Sequence, residues 1–217
     1  MVRVVAGVLL AAGEGSRFGR PKALVELDGR TLADRGVALL RAGGADPVLV
    51  VTGAAPVDIP GTVTVHNPEW RTGMGSSLRA ALRALTTPAD GAPADGAPGG
   101  GAAAGGEVGA VVIALADQPL VGAAAVGRLI SAYHAGATVA VAAYDGEPRN
   151  PVLIARQHWP EVIAAATGDK GARAFLRARP DLVTLVECGD TGSAEDIDTP
   201  EDLARIKENP GTTSRYE

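Results

Sequence analysis

Apolar and polar residues follow two different periods along this chain. Short runs in which nearly every position is apolar, such as 4–10 and 109–115, are typical of parallel strands that are buried on both faces. Between such runs, apolar residues recur every three or four positions, which is the period of amphipathic helices. Strands that alternate with helices predict a mostly parallel sheet with helices on both faces. Ligands of such sheets bind beyond the carboxyl ends of the strands.

The ends of several elements carry recognisable signals. Thr31 is a predicted N-cap with Asp34 at the third helical position, and Gly43 ends that helix. Thr199 followed by Pro200 begins another helix. We predict strands over 4–10, 47–51, 62–65, 109–115, 138–143 and 182–187, with a short side-hairpin strand over 151–154. We predict the remaining helices over 74–85, 121–135, 156–166, 170–179 and 199 to about 207.

The segment 88–107 departs from this pattern. Seventeen of its 20 residues are Ala, Gly or Pro, a composition that cannot bury a core and is typical of a flexible surface loop. We interpret it as an insertion tolerated by a single domain over 1–209, and we expect a disordered tail over 210–217. The predicted fold class is therefore α/β: one Rossmann-like domain built as a three-layer sandwich around a mostly parallel sheet.

Composition excludes several classes of function. The 217 residues include 20 basic and 25 acidic side chains, a net charge of −5, so we expect no nucleic-acid partner and no membrane partner. The apolar start resembles a short signal peptide, but a buried strand followed by a glycine-rich turn is the better interpretation. Cys188 is the single cysteine, which excludes a disulfide framework or a cysteine-rich zinc site and favours a cytoplasmic location.

The glycine-rich segment after the first strand holds the strongest candidate chemistry. It reads Leu-Ala-Ala-Gly-Glu-Gly-Ser-Arg-Phe-Gly-Arg-Pro-Lys over 10–22, and such a turn offers backbone N–H groups to phosphate oxygens. Arg17 and Lys22 add two cations that can neutralise a triphosphate. No Walker A motif is present, and the dinucleotide fingerprint fails because Phe18 replaces its third glycine and Thr52-Gly53 replaces the acid after the second strand. A plain tight turn is the competing interpretation.

Two acidic residues are candidate metal ligands. Asp117 follows the strand 109–115, and Asp198 precedes the helix that begins at Thr199. Mg²⁺ is commonly held by one or two carboxylates together with phosphate oxygens. We therefore predict that Asp117 and Asp198 bind Mg²⁺, with Asp196 as the alternative to Asp198. The competing interpretations are an Asx-turn for Asp117 and an ordinary helix-cap or turn acid for Asp198.

Several segments, taken in order along the chain, resemble one family. They are Leu-Ala-Ala-Gly over 10–13, Arg-Phe-Gly-Arg-Pro-Lys over 17–22, Asn-Pro-Glu-Trp over 67–70, Gly-Met-Gly-Ser-Ser-Leu over 73–78, Ala-Asp-Gln-Pro over 116–119, Arg-Asn-Pro over 149–151, and the segments 167–173 and 196–202. The pattern resembles MobA-like nucleotidyltransferases with a GT-A-like fold, and molybdenum cofactor cytidylyltransferase in particular. Gly75 and the segment 147–149 depart from that pattern.

The resemblance implies a reaction and its site residues. CMP would pass from CTP to the phosphate of molybdopterin with release of pyrophosphate, Mg²⁺ would be the cofactor, and a recipient molybdoenzyme would be a partner. The catalytic residues would be Arg17, Lys22 and Asp117. The nucleotide would be bound by Leu10, Ala11, Ala12, Gly13, Gly15, Ser16, Arg17, Lys22, Asn67, Gly73, Ser76 and Ser77, and the acceptor by Arg149, Asn150, Lys170 and Arg173. A plain helix start at 73–77 and a solvated helix face at Lys170 and Arg173 are the competing interpretations.

Other functions are compatible with the same fold. In the family, Ala-Ala-Gly accompanies cytidine and a Gly-Gly pair accompanies guanosine, so guanylyl transfer, or nucleotidyl transfer to another phosphorylated small molecule, is an alternative. NAD(P)H-dependent reduction is a third possibility, which the missing acid after the second strand disfavours. A non-catalytic carrier of a pterin cofactor would need the pocket but neither metal nor turnover. His66, His134 and His158 lack metal-ligand spacing, and we interpret them as structural or exposed.

Overall fold

The central sheet contains seven of the strands in the described part of the chain. The computed structural model describes residues 4–86 and 107–208, so the predicted insertion, apart from Glu107, and the predicted tail lie outside the described residues. The sheet strands are β1 (Val4–Leu10), β4 (Val48–Thr52), β5 (Val63–His66), β6 (Val108–Leu115), β7 (Val139–Tyr144), β8 (Glu147–Ala155) and β9 (Val183–Glu187). The short strands β2 (Glu26–Leu27) and β3 (Arg30–Thr31) form a separate hairpin, which the sequence pattern did not predict.

The strand order is β5-β4-β1-β6-β8-β7-β9, and every strand except β8 runs in the same direction. This confirms the mostly parallel α/β sheet. The predicted side strand over 151–154 was wrong in length and place, because β8 lies inside the sheet between β6 and β7. Its second half pairs with both neighbours, whereas Glu147 and Pro148 at its start pair only with β7. That polar, proline-containing start resembles a turn in sequence, which is why the strand looked short.

Helices cover both faces of the sheet. They are α1 (Leu32–Ala42), α2 (Met74–Thr86), α3 (Ala123–His134), α4 (Trp159–Ala165), α5 (Arg173–Ala178) and α6 (Pro200–Glu208). The two predicted helices over 156–166 and 170–179 are both shorter than expected. The 3₁₀ turn Arg156–His158 occupies the start of the first segment, and the 3₁₀ turn Gly168–Lys170 ends three residues before α5 begins. Ala172 is the N-cap of α5, and no side chain forms a capping hydrogen bond there. None of the helices in the described ranges has the length and apolar character of a membrane span.

The alternation of side chains along β1 explains why the run 4–10 is apolar throughout. Val5 and Leu9 face the core that α1 and α3 complete, whereas Val8 and Leu10 face the core that α2, α4 and α5 complete. Successive residues of a strand point to opposite faces of a sheet. Burial of both faces therefore requires apolar residues at every position, as the sequence predicted.

A third, smaller cluster attaches the last helix to the edge of the domain. Its buried members are Val25, Leu27, Leu32, Leu120, Ile197, Leu203 and Ile206. Leu27 belongs to the β2–β3 hairpin, and Leu203 and Ile206 belong to α6. Thr199 and Asp202 form the predicted cap of α6, since the Asp202 N–H donates to the Thr199 hydroxyl at 3.2 Å. The cluster fixes the segment that leads into α6, and this segment carries Asp198.

Helix α1 packs unusually close to β1. A Cβ on Gly36 would lie 2.5 Å from Cδ1 of Leu9, whose side chain is fully buried. A Cβ on Gly127, in α3, would meet only the Gly43 carbonyl oxygen at 3.7 Å. Both glycines are helical, so they differ mainly in the space that a methyl group would find.

We expect Gly36→Ala to destabilise the protein and Gly127→Ala to stabilise it. Both substitutions gain up to ~1 kcal/mol of helix propensity, but at position 36 overpacking against Leu9 costs about 1–3 kcal/mol. The measurement is the free energy of unfolding of both variants by chemical denaturation. Equal stabilisation of the two variants would contradict the close packing of α1 on β1.

Candidate active site

The loop after β1 is held at its start by the neighbouring strands. The Ala11 N–H donates to the Val51 carbonyl at 3.0 Å, and the Ala116 N–H donates to the Leu10 carbonyl at 3.2 Å. These bonds extend the pairing of β1 with β4 and β6 beyond the strand ends. The first residues of the loop therefore lie at the carboxyl edge of the sheet, where ligands bind in this class of fold.

The loop then turns back on itself before it reaches Lys22. Gly15 has a φ of 63°, and a Cβ there would lie 2.2 Å from the Arg20 carbonyl oxygen, so only glycine fits. The Phe18 N–H donates to the Gly15 carbonyl at 2.8 Å, and the Phe18 ring packs against the third cluster. Lys22 follows at the start of a 3₁₀ turn, Lys22–Leu24.

Lys22 connects the two predicted metal ligands. Its ammonium nitrogen lies 3.0 Å from Oδ2 of Asp117 and 2.5 Å from Oδ1 of Asp198. Arg17 approaches the other oxygen of Asp198, with Nη1 at 3.2 Å from Oδ2. The side chain of Lys22 is 18% exposed and that of Arg17 is 72% exposed. The structure therefore brings together all four charged residues that the sequence analysis selected for phosphate and metal binding.

The two carboxylates keep Lys22 charged. Burial favours the neutral amine, but hydrogen bonds and charge from Asp198 and Asp117 outweigh this effect, and the pKa of Lys22 is raised above its usual value. A protonated lysine of this kind is a fixed cation at neutral pH. It can neutralise phosphate but cannot serve as a general base.

The backbone before α6 is held by Asp202. One oxygen of its carboxylate accepts hydrogen bonds from the N–H groups of Asp198 and Thr199, at 3.1 and 2.9 Å, and from the Thr199 hydroxyl at 3.0 Å. These bonds, that of the Thr199 hydroxyl first, lower the pKa of Asp202. The Asp198 side chain is not used for capping and turns to Lys22 and Arg17 instead. The competing interpretation of Asp198 as a helix cap therefore does not describe this structure.

Asp196 has different partners from Asp198. Its Oδ1 accepts a hydrogen bond of 2.8 Å from Nε2 of Gln118, the residue after Asp117. Desolvation of the carboxyl group, followed by the nearby charge of Asp117, raises the pKa of Asp196. The Ile197 N–H donates to the Asp117 carbonyl at 2.8 Å, so the segment 196–198 lies directly against the end of β6. The geometry favours Asp198 as the partner of Asp117.

The residues present suit a sparsely ligated divalent cation. Oxygens of Asp117 and Asp198 converge on one point, which the Lys22 ammonium occupies. Within 4–86 and 107–208, no group of three or more His, Cys, Asp or Glu side chains is arranged to hold a metal ion. A cation bound there would need further oxygen ligands from water or phosphate, as Mg²⁺ usually has.

A cleft of about 470 Å³ opens beside this cluster. Its floor is apolar, formed by residues at the ends of β1 and β6, and its walls carry Lys22 and Asp117 on one side and residues around the start of α2 on the other. The lining residues are Leu10, Ala11, Ala12, Gly13, Glu14, Lys22, Ala23, Trp70, Arg71, Gly73, Met74, Ser77, Leu115, Ala116, Asp117 and Asp169. Many of the predicted nucleotide-binding residues therefore share one cavity.

Other predicted nucleotide-binding residues lie outside the cleft. Asn67 and Ser76 are buried, and Nδ2 of Asn67 donates to the hydroxyls of Ser76 and Ser77 at 2.8 and 3.0 Å. This network joins the end of β5 to the start of α2, which positions Ser77 at the cleft wall. Gly15, Ser16 and Arg17 belong to the returning part of the loop and do not line the cavity.

The predicted acceptor residues divide into two groups. Arg149 and Asn150 lie in the first half of β8, which starts at the same sheet edge as Asp117 because β8 runs opposite to β6. Lys170 ends a 3₁₀ turn, Arg173 begins α5, and both are exposed. None of the four lines the cleft. Arg149 and Asn150 are therefore placed to contact an acceptor on the β8 side of Asp117, whereas Lys170 and Arg173 are not.

Sequence reasoning missed three polar or aromatic residues of the cleft wall. Trp70 and Asp169 were parts of recognised motifs but received no role in the cleft, and Arg71 was not singled out. The Arg71 guanidinium carbon lies 4.3 Å from the centroid of the Trp70 ring, a cation–π contact. A flat wall of this kind can accept a heterocyclic ring. The signal that could have found it is an aromatic residue three positions before Gly73, at the glycine-rich start of α2.

Three features lie at the carboxyl edge of the mostly parallel sheet: a glycine-rich loop, a cleft, and a lysine between two carboxylates. These are features of nucleotide-binding α/β enzymes. Residues 7–183 match the model of the MobA-like NTP transferase domain. The chain belongs to this family of nucleotidyltransferases, as the order of its motifs predicted.

Individual relatives carry different activities in their names. The chain is 36% identical over 216 residues to nicotine blue oxidoreductase of Paenarthrobacter nicotinovorans, covering 93% of this chain and 96% of that protein. It is 27% identical over 212 residues to a molybdenum cofactor guanylyltransferase of Xanthomonas euvesicatoria, covering 94% and 95%. The crystal structure of Rv0371c from Mycobacterium tuberculosis in complex with manganese matches with a TM-score of 0.70 and 25% identity, over 94% of this chain and 98% of that chain.

We expect Asp202→Ala to lower the melting temperature by a few degrees, because the hydrogen bonds that the Asp202 carboxylate contributes to the capping box of α6 are lost. We also expect it to weaken Mn²⁺ binding, because the backbone of Asp198 is no longer held. Glu201→Ala, an exposed acid in the same helical turn, is the matched control. Calorimetry measures both quantities. Unchanged Mn²⁺ binding in a destabilised Asp202→Ala protein would show that Asp198 does not depend on this cap.

Proposed function

We propose that the protein is a divalent-metal-dependent nucleotidyltransferase that transfers CMP from CTP to the phosphate of molybdopterin and releases pyrophosphate. The observation that carries the proposal is the convergence of Lys22, Asp117 and Asp198 at the mouth of a cleft lined by the glycine-rich loop. A triphosphate in this cleft would have backbone N–H groups, a fixed cation and a metal-binding pair of carboxylates within reach. A relative named as a molybdenum cofactor guanylyltransferase supports the pterin acceptor.

The residues of the chain supply positions and charge. The loop over 11–13 would cradle the triphosphate, and Lys22 and Arg17 would neutralise its oxygens. Asp117 and Asp198 would hold Mg²⁺, which when bound lowers the electrostatic cost of bringing two anions together. An oxygen of the acceptor phosphate would bond to the α-phosphorus of CTP while the bond to pyrophosphate breaks. Because a phosphate nucleophile is already ionised, the site needs no general base, and a permanently protonated Lys22 fits that requirement.

The choice of CTP depends on the size of the loop residues. Ala12 is buried and lines the cleft, and its methyl group narrows the cavity where the family pattern has glycine with guanosine. The guanylyltransferase relative favours GTP instead, so guanylyl transfer is the alternative donor reaction. The acceptor would approach from the β8 side, where Arg149 and Asn150 can contact its phosphate, and a molybdoenzyme would receive the product.

Reduction with NAD(P)H is the second candidate, because the chain is similar over nearly its whole length to nicotine blue oxidoreductase. The end of β4 does not favour a dinucleotide bound in the Rossmann manner. Gly53 stands where the ribose-binding acid would follow the strand, and a Cβ there would lie 2.6 Å from Cβ of Trp70 and 2.9 Å from the Ala12 carbonyl oxygen. No acidic side chain fits at that position.

We expect CTP with Mg²⁺ to raise the melting temperature by several degrees. A ligand at 100 times its dissociation constant adds about 2.7 kcal/mol to the stability. The measurement is thermal unfolding with CTP, GTP, ATP, UTP and NADPH, each with and without Mg²⁺. A shift with GTP alone would replace the cytidylyl donor by guanylyl, and a shift with NADPH alone would replace the transferase by the reductase.

We expect Asp117→Asn to lower nucleotidyl transfer by about 100-fold or more, since loss of a metal ligand costs several kcal/mol of transition-state stabilisation. Pyrophosphate release in the presence of molybdopterin and CTP measures the rate. Asp46→Asn is the control, because Asp46 is exposed and precedes β4, at the opposite edge of the sheet. A rate near that of the unmodified protein would remove Asp117 from the reaction.

A further inference from the structure

The arrangement of Lys22 raises the question of how a metal ion enters its site. Both oxygens of Asp198 are already engaged, Oδ1 by the Lys22 ammonium at 2.5 Å and Oδ2 by Arg17 at 3.2 Å. The same ammonium lies 3.0 Å from Oδ2 of Asp117. A cation that bridges Oδ2 of Asp117 and Oδ1 of Asp198 would occupy the space of the Lys22 nitrogen. Metal and ammonium cannot both be there.

Charge leads to the same conclusion. The formal charges of Asp117 and Asp198 are balanced by those of Lys22 and Arg17, and Asp196 is a further carboxyl group close enough to interact with them. A divalent ion added beside the Lys22 ammonium would meet a like charge at short range in a partly buried site, which is unfavourable. If the lysine leaves, the carboxylates are free for the metal and the ammonium needs a new anionic partner.

Lys22 has such a place within reach. Its side chain lines the cleft as well as contacting the carboxylates, so it stands at the boundary between the metal-binding pair and the cavity proposed for the triphosphate. A lysine has four flexible carbons between backbone and charge. A rotation of its side chain is therefore enough to exchange carboxylate partners for phosphate partners.

We propose that Lys22 is an internal cation that occupies the metal site of the nucleotide-free protein and that a divalent metal displaces it into the cleft, where it becomes available to phosphate. This inference rests on the proposed function for the choice of a divalent metal as the competing cation. It adds that metal binding and phosphate binding strengthen each other, because one event releases the group that the other uses.

The first experiment measures Mn²⁺ binding to nucleotide-free protein by electron paramagnetic resonance or calorimetry. Lys22→Met is expected to bind Mn²⁺ about twofold to fivefold more tightly than the unmodified protein, the factor that corresponds to one partly exposed ion pair. Lys207→Met, an exposed position in α6, is the matched control and is expected to leave the affinity unchanged. Equal affinity in Lys22→Met and the unmodified protein would overturn the proposal.

Tighter Mn²⁺ binding to Lys22→Met is also expected if Lys22 stays in place in the unmodified protein and only repels the metal ion. The second experiment separates the two, and it uses the unmodified protein, so it does not depend on the folding of a variant. The chain has three lysines, Lys22, Lys170 and Lys207, and their reaction with an amine-acylating reagent can be followed by peptide mass spectrometry. Mg²⁺ is expected to increase acylation of Lys22 severalfold relative to Lys207. Acylation of Lys22 that is insensitive to saturating Mg²⁺ would overturn the displacement.

Neither measurement requires turnover or nucleotide. Displacement of Lys22 by metal in a protein that shows no nucleotidyl transfer would overturn the proposed function and leave the exchange standing. Nucleotidyl transfer without displacement of Lys22 would support the proposed function and overturn the exchange.

Discussion

The attraction between one ammonium group and two carboxylates holds the functional edge of this protein together. Lys22 is separated in sequence by 95 residues from Asp117 and by 176 from Asp198. Asp117 and Asp198 contact the same ammonium group, so their carboxylates are close enough to repel each other when no cation lies between them. Three features of the fold meet in that balance: the folded-back loop supplies Lys22, the end of β6 supplies Asp117, and the segment before α6 supplies Asp198.

Local patterns in the sequence predicted most of the fold because burial and periodicity are local properties. The apolar run of β1 and the caps of α1 and α6 appear where they were expected. The position of β8 was not predictable in the same way, because the pairing partners of a strand are chosen by tertiary contacts. The β2–β3 hairpin and the 3₁₀ turns were missed for a related reason. They are too short for any period to be recognised.

The residues of the candidate site also divide into those that local sequence predicts and those that only the folded chain reveals. Lys22, Asp117 and Asp198 were selected from their residue types and their positions next to predicted elements, and the structure brings them within hydrogen-bond distance. Asn67 and Ser76 belong to recognised motifs as well, yet their polar atoms bond to each other in the interior. A motif shows that residues matter together but not whether they face a ligand or one another. Trp70 and Arg71 form a wall of the cleft through a contact that only the folded chain reveals.

The attachment of α6 has a consequence for how the protein is made. The last ligand of the proposed metal site, Asp198, follows all seven strands of the central sheet and lies beyond residue 183, where the match to the family model ends. Chains fold from their N-terminal part as they leave the ribosome. The sheet and the cleft floor can therefore form while the metal site is still incomplete. Until the segment around Ile197 emerges and closes the third cluster, the nascent protein has a lysine and one aspartate at its sheet edge, so the site is completed only after the whole sheet has been synthesised.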